Sequence, residues 1–181
     1  MILNPEDYLP GQTLIAAKES ALVANVYGRV FRNIPDKLDL AQAATYWYKF
    51  NCLNKLKVLD RVITILQGSI SYEVIVSTPE APVVETDPGV QVLFYSSNNT
   101  FPRAQLFTMF GNVLASGGLV IDYVELATGQ GSGRVSIPDA QIGGRILAKD
   151  TSFYLKFTGL SAVANRALLN LLILQYDELA E

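Results

Sequence analysis

Apolar and polar residues largely alternate between residues 69 and 77, in the central part of the chain. Successive side chains of a β-strand point to opposite faces of a sheet, so this period of two predicts a strand with one buried face. We expect the buried face to carry Ile70, Tyr72, Val74 and Val76. The opposite face would carry mainly Ser69, Ser71, Glu73 and Ser77.

Several other short segments are rich in β-forming residues and are separated by turn signals. They lie at residues 21–31, 90–95, 107–126, 134–138 and 153–158. The connections between them include "TPEAPVVETDPG" and "ATGQGSG", which are rich in residues that favour turns. Many short strands with such connections predict an all-β protein, an antiparallel β-sandwich.

One segment follows a helical spacing instead of a period of two. Its apolar residues recur at intervals of about three or four, at Leu40, Ala43, Ala44, Trp47, Phe50 and Leu53. Asp36 or Asp39 is a suitable N-cap for such a helix. We therefore predict one short helix over residues 39–55 in an otherwise all-β fold.

The aromatic residues of this segment, "TYWYKF", leave two interpretations open. On a helix, Tyr46, Trp47 and Phe50 fall mostly on one side, where they would pack the helix against the sandwich. If the rings are exposed, they suit a contact with another chain or a platform on which a sugar stacks. Trp47 is therefore a candidate interface residue.

The last segment, residues 168–176, is leucine-rich and is compatible with a helix by propensity. Its position directly after another β segment favours a strand with both faces covered. One face would carry Leu169, Leu171 and Ile173. The other face would carry Leu168, Leu172, Leu174 and Tyr176, which we predict as contact residues toward a neighbouring subunit.

The N-terminal segment differs from the rest of the chain because it is turn-rich and holds Pro5 and Pro10. Prolines at these positions prevent a long helix. We expect residues 1–20 to form an extended arm and residues 21–181 to form the sandwich. The early acidic residues and the missing basic segment also argue against a signal peptide.

The amino-acid composition indicates that the protein assembles with other protein chains. Charged residues make up only 17% of the chain and apolar residues 50%, whereas an average protein has roughly 25% charged residues. The longest apolar run, residues 167–176, is too short for a membrane span, which needs about 20 residues. A surface so poor in charge indicates extensive contact with other protein. With a net charge of −3 and no basic cluster, we expect no direct binding of nucleic acid.

The residues available for catalysis are few. The chain contains no histidine, which excludes the usual serine or cysteine triads and histidine-ligated metals. Its single cysteine, Cys52, is expected to be a small buried apolar residue. Glu73, Asp122 and Glu125 remain as an acid–base alternative, but strand spacing places Asp122 and Glu125 on opposite faces. We predict no enzymatic activity, no catalytic residue, no cofactor and no metal.

The order of elements resembles the jelly-roll capsid proteins of picorna-like viruses. Three segments carry the similarity. The first, "GSISYEVIVST", is similar to a strand of the type "RGSIRYKF" that a helix precedes in that family. The others are "GVQVLFYS" and "GRVSIPDAQ", and the latter is a strand that contains Ile-Pro. Two closing strands, "FYLKF" and "LLILQY", complete the similarity over roughly residues 21–176. Phage decoration proteins and tail-fibre heads are similar sandwiches and remain near alternatives.

This resemblance implies a single jelly roll that forms an icosahedral shell with copies of itself or with sister subunits around the genome. Such a viral structural protein is located in the virion and is synthesised in the host cytoplasm. Its partners would be other capsid subunits, and a host receptor or glycan is a further candidate. A carbohydrate-binding β-sandwich that uses Trp47 and the neighbouring tyrosines is the alternative from another functional class.

Overall fold

The computed structural model describes residues 29–100, 104–128, 133–137 and 146–176 of the 181-residue chain. These residues form fifteen β-strands, and no helix that could span a membrane occurs among them. The strands are β1 (Val30–Asn33), β2 (Asp36–Leu40), β3 (Thr45–Cys52), β4 (Leu56–Gln67), β5 (Ser69–Val76), β6 (Val84–Glu85), β7 (Val90–Gln91), β8 (Phe94–Ser96), β9 (Phe107–Gly111), β10 (Ala115–Ser116), β11 (Leu119–Ala127), β12 (Gly133–Ile137), β13 (Ile146–Leu147), β14 (Thr151–Gly159) and β15 (Asn165–Gln175). The predicted arm, residues 1–20, lies outside the described residues.

Sheet one has β15 at its centre, with β4 on one side and β1 and β2 on the other. β1 and β2 lie end to end along β15, and β8 pairs with the far side of β1. β12 and β13 pair with the far side of β4. All these pairs are antiparallel, and none of them joins two strands that are consecutive in the chain.

Sheet two has the order β11-β5-β14-β3-β9-β7 and is also antiparallel. β6 and β10 form a separate two-stranded ribbon. Gly118, just after β10, has a positive φ of 87°, and a Cβ atom there would lie 2.4 Å from the side chain of Ile75. Glycine therefore lets the end of the ribbon lie directly against the outer face of β5.

Both sheets contribute side chains to one apolar core. Ile63 and Leu169 enter it from sheet one, and Tyr72 and Phe157 enter it from sheet two, with these two rings 5.1 Å apart. The inner faces of β4 and β15 thus face those of β5 and β14. Burial of this alternating set of apolar side chains is the main stabilising contribution in a fold of this kind.

The predicted inner face of β5 is confirmed. Ile70, Tyr72 and Val74 are buried in the core, and Val76 packs against it. The opposite face is less open than expected, because Ile75 is also buried there. The interruption of the polar alternation at Ile75 therefore has a structural reason: this side chain packs in a second, smaller cluster on the outer face of sheet two.

The predicted helix over residues 39–55 is wrong. The segment forms the end of β2, a turn and β3, and the turn is closed by a hydrogen bond from the backbone N–H of Ala44 to the carbonyl of Ala41. Tyr48, Phe50 and Cys52 alternate into the core with a period of two. The helical spacing was coincidental, and the β-propensity of the aromatic run, together with pairing to β14 and β9, decides the conformation.

The closing segment is a strand, as predicted, and it lies at the centre of sheet one. At the start of β15, the buried side chain of Asn165 forms hydrogen bonds with three other segments of the chain. Its oxygen accepts hydrogen bonds from the backbone N–H groups of Ser69 and Ser161, and its amide donates to the carbonyl of Leu40 at 3.1 Å. This residue holds the ends of β2, β5 and β14 together at one end of the sheets.

Candidate assembly surfaces

The predicted faces of β15 are found as expected. Leu169, Leu171 and Ile173 point into the core and are buried. The opposite, outer face of sheet one carries the side chains that the sequence analysis proposes as contacts with a neighbouring subunit. These are Leu168, Leu172 and Leu174, with Tyr176 immediately after the strand.

Part of this outer face forms its own small apolar cluster. Val30 and Leu174 are buried in it, and Leu59, Leu172 and Tyr176 pack against them. The Tyr176 ring lies 5.5 Å from the ammonium group of Lys55, and burial raises the pKa of the Tyr176 hydroxyl. The cluster therefore makes part of this face apolar, and the half-exposed side chain of Leu172 extends the apolar surface to solvent.

Next to this cluster, a groove of about 320 Å³ crosses the outer face of sheet one. Its lining is mostly polar and comes from three strands. The residues are Arg32, Asp60, Val62, Thr64, Asn170, Leu171 and Leu172. The groove therefore combines a cation, a carboxylate, an amide and a hydroxyl, with Leu172 at its border to the apolar cluster.

Trp47 lies on the other side of the molecule, on the outer face of sheet two, and only 8% of it is exposed. Its ring meets that of Tyr154 edge-on at 6.4 Å, and the Lys156 ammonium lies 5.6 Å from the ring centre. Val113, beside the β6–β10 ribbon, completes the cluster. Other side chains of the described residues cover Trp47, so its ring is not exposed as a platform on this face.

The three carboxylates considered for acid–base chemistry do not all meet, because Asp122 lies on the inner face while Glu73 and Glu125 lie on the outer face, where Tyr123 is a neighbour of both. Asp122 and Glu125 lie opposite Val74 and Ser71 of β5, so they occupy opposite faces, as the strand spacing predicts. The carboxylate of Asp122 lies 3.5 Å from the guanidinium group of Arg61, and the carboxylate of Glu73 lies 2.9 Å from the ammonium group of Lys156. Glu125 accepts a hydrogen bond from the hydroxyl of Tyr123.

Other candidate chemistry is also sparse in the part of the chain that the structure describes. No group of three or more histidine, cysteine or acidic residues there is arranged to hold a metal ion. Cys52 is buried, and burial raises the pKa of its thiol to about 11. At neutral pH the thiol is therefore protonated, which is the unreactive form.

Sequence reasoning missed two sets of exposed apolar side chains at opposite flanks of the sheets. Flank A consists of Leu119, Val120, Ile121 and Tyr123 on β11. Flank B consists of Ile34, Val90, Leu93 and Tyr95, which lie beside and between β7 and β8. A signal was present for flank A, because three consecutive apolar residues at 119–121 cannot all point to one side of a strand.

No protein-family model matches this sequence, and no curated protein is significantly similar to it.

Proposed function

We propose that this chain is a jelly-roll capsid subunit that assembles with copies of itself or with sister subunits into a viral shell. The observation that carries the proposal is the pairing order of the strands. Taking β1 and β2 as one interrupted strand, eight main strands follow one another along the chain. They are β1/β2, β3, β4, β5, β11, β12, β14 and β15.

These eight strands pair in a nested order. The first pairs with the eighth, the second with the seventh, the third with the sixth and the fourth with the fifth. Two further pairs, β4 with β15 and β5 with β14, join the nested hairpin into two sheets. This nested pairing supports a jelly-roll sandwich, the architecture that viral capsid and lectin domains use.

The surface supports the capsid assignment over a monomeric binding module. Only 17% of residues are charged, and the outer face of β15 presents the partly exposed apolar residues Leu168, Leu172 and Tyr176. Large permanent interfaces deplete charge in their centres. We therefore assign this face as a contact with a neighbouring subunit, with the virion as the site of action.

The experiment that tests this function is the assembly state of the full-length chain. We expect light scattering to give trimers, pentamers or larger species, and negative-stain electron microscopy to show rings or closed particles at raised protein concentration. A monomer over the whole accessible concentration range, with and without added salt, contradicts the proposal. Co-expression with sister subunits of the same source extends the test to mixed shells.

A second candidate function, carbohydrate binding, is favoured by the groove on sheet one. Arg32, Asp60, Thr64 and Asn170 place charged, amide and hydroxyl groups together, which are the groups that hydrogen-bond sugar hydroxyls. The lectin domains that share the jelly-roll architecture make this a distinct alternative. A monomer whose melting temperature rises with a simple sugar, and whose Asp60→Ala variant loses that rise, would favour it.

A further inference from the structure

Flank A and flank B lie at opposite ends of the sheet order. Sheet two begins at β11 and ends at β7, while β8 ends sheet one beside β1. Only two residues separate β7 from β8, so these two edges share one flank, far from β11. Among the described strands β11 pairs with β5 alone, so it forms an edge of sheet two.

The stretch of β11 that forms flank A is not suited to backbone pairing with another strand. It has a β-bulge between Val120 and Asp122 and a charge that points inward, and both features discourage such pairing. Between Leu119 and Tyr123 the sole charged residue is Asp122. Its carboxylate turns inward and reaches Arg61 at 3.5 Å, so its charge is engaged within the subunit. The remaining four side chains of this stretch are large, apolar and exposed.

The charges bordering the two flanks are opposite. On flank A, exposed Glu125 lies beside Tyr123, whose hydroxyl donates a hydrogen bond to it. On flank B, exposed Arg32 is the cross-strand neighbour of Tyr95, so the two side chains share a face. Asp36 also lies beside flank B, but its carboxylate accepts a 2.7 Å hydrogen bond from the hydroxyl of Tyr48 and is engaged within the subunit. The exposed charge is therefore acidic beside flank A and basic beside flank B.

We infer that flank A of one subunit docks against flank B of the next copy in a head-to-tail contact. The inference rests on the proposed function, because it names the surfaces through which copies of this chain meet. When two subunits meet through unlike flanks, the resulting pair still has one free flank A and one free flank B. Further subunits can therefore add until a ring closes. Pairing of flank A with itself would instead bring two acidic borders together and end at a dimer.

Cross-linking of single cysteines tests this contact directly. Leu93→Cys marks flank B and Val120→Cys marks flank A, at positions that are 61% and 46% exposed. A short bis-maleimide is added to each variant alone, to the mixture of both and to the double variant. Val163→Cys, at a position that is 58% exposed in the turn before β15, serves as the matched control partner. Wild-type protein reports any background from the buried Cys52.

We expect the mixture of Leu93→Cys and Val120→Cys to give a covalent dimer and the double variant to give a ladder of multimers. Each single variant, and Leu93→Cys mixed with Val163→Cys, should remain monomeric on a denaturing gel. A dimer from Val120→Cys alone overturns the head-to-tail geometry. If the mixture gives no more product than the control pair while particles form, the flank contact is wrong and the shell function stands. A wild-type chain that stays monomeric in solution overturns both.

Discussion

The backbone N–H of Leu171 donates a 2.7 Å hydrogen bond to the side-chain oxygen of Asn33, a fully buried residue. The amide of Asn33 in turn donates to the carbonyl of Leu169 at 3.0 Å. β1 ends at Asn33 and β2 begins at Asp36, so the edge beside β15 is interrupted here. The Asn33 side chain thus replaces a strand partner and satisfies two backbone groups that would otherwise be buried without one.

We expect Asn33→Ala to lower the free energy of unfolding by about 2 kcal/mol, because unsatisfied buried polar groups cost about 1–3 kcal/mol each. Denaturant titration followed by circular dichroism measures the change. Asn170→Ala, on the half-exposed outer face of β15, is the control and should cost less than about 0.5 kcal/mol. Equal losses in the two variants would contradict the bridging role of Asn33.

Val74→Asp should unfold the subunit or destabilise it by more than about 3 kcal/mol, because it buries an unpaired carboxylate in the core. The same substitution at the exposed Val84 of β6 provides the control and should be tolerated. Thermal melts of the two variants give the comparison. A Val74→Asp variant that melts like the wild type would mean that the inner face of β5 has been misassigned.

Leu172→Lys should leave the subunit folded and impair its assembly, because Leu172 is half-exposed on the outer face of sheet one. Its neighbour Leu171 is buried in the core, so Leu171→Lys should unfold the chain. Circular dichroism reports folding and light scattering reports assembly. Normal assembly of a folded Leu172→Lys variant would remove this face of β15 from the interface.

The Cys52 thiol should make stability fall at alkaline pH. Burial raises its pKa from the ordinary 9 to about 11, so the fold favours the protonated thiol. This contribution is fully present below about pH 9 and is lost as pH rises toward 11, by up to about 3 kcal/mol at ~1.4 kcal/mol per pH unit. Cys52→Ala should show a shallower decline over the same range in denaturant titrations. Parallel curves for the two proteins would show that the thiol does not contribute.

Trp47 is the single tryptophan of the chain, so its fluorescence reports its surroundings directly. Because the ring is covered by Tyr154, Val113 and the Lys156 side chain, we expect a blue-shifted emission and weak quenching by iodide. Unfolding should shift the emission to the red and restore quenching. Strong quenching in the native state would mean that the ring is open to solvent, which would restore its candidacy as a contact or sugar-stacking residue.

The sequence by itself determined the class of the fold and the faces of its most regular strands. The alternation around Tyr72 and the two apolar faces of residues 168–176 depend on the local geometry of a strand, which places successive side chains on opposite sides. The composition likewise limits the candidate chemistry, because a chain without histidine and with one cysteine lacks the residues for most catalytic and metal centres.

Only the tertiary structure decided between helix and strand at residues 39–55, because both periods fit that short run and pairing with β14 and β9 chose the strand. It also decided the nested pairing of eight strands, since pairs such as β2 with β15 join residues more than 120 positions apart. The cover over Trp47 and the two apolar flanks follow from those distant pairings. Local periodicity indicates which side chains of a strand share a face. Which of the two faces becomes buried depends on long-range contacts with other parts of the chain.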